Sequence, residues 1–175
     1  NKTVLLERSG IQELVPKKEK ADFEAIARDK KVLYIFGSGS GTKRNTLVKY
    51  ADKTGKSQTV DMTAHYTAMQ QQFGIAAADF NIEGALILGN EFWLFNRGNG
   101  PGKKSGIFVL EKTTLRATQF FPIELPVLQS VQTGFTDATV VDGAIYFIAA
   151  AEASNSSYHD GEIKGTLIGK LDPKT

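Results

Sequence analysis

Apolar and polar positions along this chain follow a pattern that occurs three times. Apolar residues alternate with polar ones at the strand period of two, in short runs closed by Gly, Asn or Asp. The runs Val32-Leu33-Tyr34-Ile35-Phe36, Phe92-Trp93-Leu94-Phe95 and Ile145-Tyr146-Phe147-Ile148 occupy matching places. Ahead of each lies a run carrying an acid: Asp22-Phe23-Glu24-Ala25-Ile26, Asn81-Ile82-Glu83-Gly84-Ala85 and Phe135-Thr136-Asp137-Ala138-Thr139. Glu24 and Glu83 are as far apart in sequence as Phe36 and Phe95. The third copy is slightly shorter, with Asp137 in the place of Glu83. Repeats of this length indicate a propeller or an array.

Each copy reads as a meander. The turns Asp29-Lys30-Lys31, Gly89-Asn90 and Asp142-Gly143 join the first two runs into hairpins. A polar, glycine-rich loop follows in the first two copies, Gly37-Ser38-Gly39-Ser40-Gly41 and Gly98-Asn99-Gly100-Pro101-Gly102, and a longer one in the third. A third run comes next, and a fourth is visible in two copies as Ser57-Gln58-Thr59-Val60 and Thr118-Gln119-Phe120-Phe121. The third copy has no fourth run, and Thr3-Val4-Leu5-Leu6 reads as a fourth strand without its blade. Residues 61–74 read as a loop with one short helix at most. The prediction is an all-β fold, a β-propeller of four-stranded antiparallel blades with about three present. It forms one unit over 1–175, with repeats near 21–61, 79–122 and 135–175, and 1–15 as the outer strand of a preceding blade. Propellers close with four to eight blades. The missing blades are therefore expected from a longer polypeptide, with self-association into a ring as the alternative.

Composition narrows the chemistry. The chain has no cysteine, which excludes disulfides, zinc-thiolate sites and a cysteine nucleophile. Its formal charge of +2 gives no case for nucleic acid, and the short basic cluster Lys17, Lys18 and Lys20 reads as a solvated loop. No apolar run approaches the roughly 18 residues that a membrane span needs. Lack of cysteine suits a bacterial cytoplasm and a periplasm alike, so the compartment stays open. The Gly37–Lys43 stretch lacks Walker spacing and a following helix, so no nucleotide site is expected. Trp93 and Tyr34 read as core.

Hairpin geometry locates the candidate site. The start of a first strand pairs with the end of the second. That places Glu83 beside Arg97 and Asn99, Glu24 beside Ser38, Ser40 and Arg44, and Asp137 beside Glu152. First strands line a propeller's channel, so these groups should converge on one mouth. Carboxylates there would suit a hard cation such as calcium. The arginines would suit an anionic or hydroxylated ligand, and crowded acids would have raised pKa values suited to acid–base work. The competing reading is structural: acids repeated in every blade would cap turn amides or pair with arginine. His159 beside Asp160 reads as an exposed loop pair.

The motifs Asp22-Phe23-Glu24-Ala25-Ile26 with Arg44-Asn45, Asn81-Ile82-Glu83-Gly84-Ala85 with Asn96-Arg97-Gly98-Asn99, and Phe135-Thr136-Asp137-Ala138 with Glu152 and Asp160-Gly161 resemble, in the same order, a family of bacterial proteins without an assigned activity. In style it is similar to phytase-like and gluconolactonase-like propellers. The resemblance implies a propeller longer than this chain, and by fold analogy calcium near the channel. One expected function is a hydrolase of an ester, lactone or phosphoester. In it Glu24, Glu83 and Asp137 would hold a divalent cation, Glu83 and Arg97 would be catalytic, and Arg44, Asn99, Ser38, Ser40, Glu152 and Asp160 would bind ligand. The alternative is a non-catalytic module binding a small anionic or sugar ligand, or a protein, at the same rim.

Overall fold

The computed structural model describes residues 19–154 and 161–173. The run Thr3-Val4-Leu5-Leu6, His159 and Asp160 lie outside them. Three antiparallel sheets account for most of the described chain. The first contains β1 (Phe23–Asp29), β2 (Val32–Gly37), β3 (Thr46–Ala51) and β4 (Lys56–Asp61), in that order. The second contains β5 (Ile82–Leu88), β6 (Glu91–Asn96), β7 (Gly106–Glu111) and β8 (Ala117–Pro122), again in chain order. The third runs β12 (Glu162–Leu171), β11 (Ala144–Ala153), β10 (Val131–Val141) and β9 (Val127–Leu128). These are the four-stranded blades of a propeller.

The hairpin turns fall where their residues demand. Asp142 and Gly143 both take positive φ, 51° and 79°, the geometry that matches the twist of two antiparallel strands. Two expectations need correction. The third sheet does have a fourth strand, but it is the two-residue β9, paired with the start of β10 on the inner side. It escaped notice because Val127-Leu128 is too short to show a period. Residues 61–74 also hold more than a short helix: α1 (Thr63–Phe73) has 11 residues. Its apolar side is thin, Tyr66 and Met69 being its buried residues, and a glutamine run masks the helical period.

The blades stack face to face. β5 packs against β1 on one side and β10 on the other, making these the inner strands. One core cluster, including Phe36, Leu47, Phe92 and Phe108, fills the space between the first two blades, and α1 adds Tyr66 and Met69 to it. A second cluster, including Phe95, Ile107, Phe135 and Phe147, fills the space between blades two and three. Tyr34 meets Phe92 edge-on at 4.9 Å, and Phe95 meets Phe135 at 5.1 Å. Such ring pairs add directionality to apolar burial.

Blades two and three approach so closely that two glycines are required. A Cβ on Gly84 would lie 3.0 Å from the Ala138 nitrogen, and one on Gly134 would lie 2.6 Å from the Arg97 carbonyl oxygen. Gly84 thus admits a neighbouring backbone. Gly134→Val should drive β10 away from Arg97 and destabilise the fold by about 2 kcal/mol. Urea unfolding checks this, with an unchanged midpoint as the contrary result.

Candidate functional site at the mouth of the inner strands

A bulge opens the first strand of every blade at the same place. Pairing skips from Phe23 to Ala25 in β1, from Ile82 to Gly84 in β5 and from Phe135 to Asp137 in β10. The unpaired residues are Glu24, Glu83 and Thr136. A bulge re-aims its side chain, and here it gathers Glu24 and Glu83 at the mouth. The third equivalent is Thr136, not Asp137, so the repeat alignment that matched Asp137 with Glu83 is one residue out. In a strand that slip puts a side chain on the opposite face. Asp137 is exposed, pairs with Ile148 rather than lying beside Glu152, and accepts the Ala138 amide at 2.7 Å.

Blade two supplies the centre of the site. The Arg97 guanidinium donates from Nη1 to Glu83 Oε1 at 3.2 Å and from Nη2 to Glu152 Oε2 at 2.6 Å. It therefore ties β5 and β6 to blade three. All three side chains are largely buried, with exposures of 12%, 13% and 9% for Arg97, Glu83 and Glu152. The other Glu152 oxygen accepts the Gly161 amide at 2.5 Å. Asn81 Nδ2 donates to Glu83 at 2.7 Å and to Asn99 Oδ1 at 3.3 Å. The hairpin argument therefore placed Glu83, Arg97 and Asn99 together correctly, and Glu152 joins them from another blade.

Blade one is arranged around Asp22. Asp22 Oδ2 accepts from Arg44 Nη1 at 2.5 Å and from Ser38 Oγ at 2.9 Å. Ser40 Oγ lies 2.9 Å from Ser38 Oγ and accepts from Arg44 at 2.8 Å. Ser38 and Arg44 are buried, so both are committed to holding this loop on Asp22. Asp22 and Asn81 each stand two residues before a bulged glutamate, a signal present in the repeat itself.

The acids crowd one another. Glu24 is pushed up to about 7, first by burial, then by the neighbouring charges of Glu83 and Asp22. More than a third of its surface stays in solvent, so its desolvation is partial and water screens what the shift is worth in stability. Glu83 is also raised, by burial first, against the pull of Arg97 and Asn81.

The expected cation site does not assemble. Among the described residues no group of three His, Cys, Asp or Glu side chains converges to hold a metal. Calcium takes six to eight oxygens, yet Glu83 is engaged by Arg97 and Asn81, and Asp137 belongs to another face. The residues present do not fit the ion. Beside Arg97 and Glu152 lies an open groove of 260 Å³ lined by Lys103, Ser130, Gln132 and Glu152 among others. Lys103 Nζ donates to the Ser154 carbonyl at 3.0 Å across it. Lys103, Ser130 and Gln132 come from loop and strand-edge positions without a motif, so sequence gave no warning of them.

The chain belongs to a family of unknown function, DUF6929. That family's model matches residues 1–175. No curated protein matches the chain. Among solved structures it is similar to the quinohemoprotein alcohol dehydrogenase ADHIIG of Pseudomonas putida HK5, at 15% identity and a TM-score of 0.44, over 86% of this chain and 25% of that one. It is also similar to the computationally designed Ika4 protein, at 10% identity and a TM-score of 0.40, over 95% of both chains. The chain spans a quarter of the dehydrogenase's length. Likenesses at these scores carry no argument about activity. No helix among the described residues is long and apolar enough to cross a membrane.

The raised Glu24 carboxyl gives a test with a definite sign. Between 4.5 and about 7 the folded protein holds this proton more tightly than the unfolded chain does. Stability therefore falls as pH rises through that window. Glu24→Gln removes the effect, so its Tm should match wild type near about pH 5 and exceed it by about 2 °C near about pH 8. Thermal scans at both pH values check this, and a difference independent of pH would contradict it.

Proposed function

We propose that the mouth is a binding site for a small hydroxylated ligand carrying an anionic group, such as a sugar acid. The groove beside Arg97 and Glu152 carries this reading: it is open, polar, and sized for a compact ligand. Glu152 and the amide of Gln132 would take hydroxyl groups, and Lys103 would take the anion as a compact charge. Arg97 would serve chiefly by fixing Glu152 and Glu83, because its guanidinium already bridges both. Arg44, Ser38 and Ser40 would then hold the rim in shape rather than touch ligand. Fold likeness to sugar-lactone enzymes would add nothing, since function follows the site and not the fold.

Acid–base hydrolysis of an ester or lactone is the second reading, and one observation favours it. A carboxyl near 7 is half ionised at neutral pH, which suits a general base acting on water. Glu24 would take the proton as water attacks the carbonyl and return it to the departing alkoxide as the acyl C–O bond breaks, with Glu83 helping to keep the proton affinity of Glu24 high.

Gluconate should raise the Tm of the protein by about 3 °C at saturating concentration. Lys103→Gln should abolish that rise, and glucose should produce a smaller one. Absence of any shift with gluconate, glucuronate and glucose would refute the binding reading. For the second reading, gluconolactone or nitrophenyl acetate turnover should rise with pH through about 7 and fall at least 100-fold in Glu24→Gln. Equal rates in the two proteins would refute it.

A further inference from the structure

A two-residue turn at the rim of the groove adopts a backbone that its residues do not favour. β9 and β10 pair through Leu128 and Val131, so Gln129 and Ser130 make the whole turn. Both take positive φ, 48° and 64°. Tight hairpin turns of this kind call for Asn-Gly, Asp-Gly or Gly-Gly. Asp142-Gly143, which joins β10 to β11, obeys that rule. Gln129-Ser130 does not, and a side chain without Asn or Asp chemistry loses stability at each left-handed step.

Neighbouring groups hold the turn in place. Gln132 Nε2 donates to the Leu125 carbonyl at 2.6 Å, and Thr133 Oγ1 donates to the Pro126 carbonyl at 2.7 Å. These bonds tie the start of β10 to the chain entering β9. Leu128 packs on β12 at Gly165, where a Cβ would stand 3.2 Å from Leu128 Cδ1. Strained backbone persists where its surroundings fix it in this way, and it gathers at binding sites.

The groove is where this strain is presented. Ser130 and Lys103 both line it, and Lys103 also has positive φ, 51°. Two lining residues from different blades thus stand on left-handed backbone. Ser130 is exposed, and among the described residues its hydroxyl makes no hydrogen bond. Neither the hairpin nor the core uses that group.

We infer that the Gln129-Ser130 turn is held in its left-handed form to set the Ser130 hydroxyl in the groove as a ligand contact beside Lys103. The inference rests on the binding reading above. A carboxylate such as Glu152 accepts only, and an ammonium such as Lys103 donates only. A serine hydroxyl does both, so it can meet a sugar hydroxyl in either role.

Three variants separate this role from a merely structural one, with Tm read without ligand and gluconate affinity read by titration calorimetry. Ser130→Gly relieves the backbone and deletes the hydroxyl. Its Tm should rise by about 2 °C, and its gluconate Kd should rise about fivefold. Ser130→Ala deletes the hydroxyl alone, so it should weaken gluconate equally with no gain in Tm. Gln129→Asn relieves the neighbouring position, whose side chain does not line the groove, and should raise Tm with gluconate affinity unchanged. If wild type binds gluconate and both Ser130 variants bind it as tightly, the inference is overturned and the binding reading stands. A ligand-free Tm that Ser130→Gly fails to raise also overturns the inference, because the turn then stores no strain. A wild type that binds none of gluconate, glucuronate and glucose defeats both.

Discussion

Close stacking of inner strands is the constraint on which the structure depends. β5 lies against β1 and β10; Gly84 has no Cβ to hold β5 off the β10 backbone, and Gly134 of β10 has none to hold off Arg97. That closeness makes the apolar clusters continuous from one blade to the next. It also lets Arg97, at the end of a strand in blade two, reach Glu152 in blade three. Charge and packing reinforce each other here. A guanidinium and two carboxylates leave water only because their pairing is good, and removing one partner of such a set exposes the full cost of burying the others.

The bulges turn this stacking into chemistry. A regular ladder would point Glu24 and Glu83 by strict alternation. One extra residue at each strand start re-aims them toward the mouth instead. Burial, and after it the charge of Glu83, then raise the proton affinity of Glu24, which reaches the neutral range. Blade three keeps the bulge but fills it with Thr136, whose hydroxyl donates to the Ile148 carbonyl at 3.2 Å. The bulges thus bring carboxyls to the mouth from the first two blades and a hydroxyl from the third, whose acid there is Glu152 of β11. The groove with Lys103 and Gln132 opens beside that third blade.

Much of this was legible before any coordinates. The period-two runs and their turn residues specify sheets, and hairpin logic alone brings Glu83 to Arg97. What failed was a matter of one residue. Asp137 looks like the third acid of a set because the eye aligns acids, whereas the strand aligns pairing partners, and Asp137 pairs as Gly84 does. Helix α1 was hidden for a different reason: few of its residues touch the core, so its sequence carries little apolar period. The reach of Arg97 to Glu152 spans two blades and has no local signature. Asp22 could have been found, since it opens the first motif, yet its role depends on the turn that brings Arg44 back to it.

The central claim is that inter-blade stacking couples Arg97 energetically to Glu152. A double-mutant cycle measures that coupling free of the other effects of each substitution. Urea unfolding of wild type, Arg97→Met, Glu152→Gln and the double variant should give a coupling of about 2 kcal/mol. Additive effects, with no coupling beyond error, would contradict it.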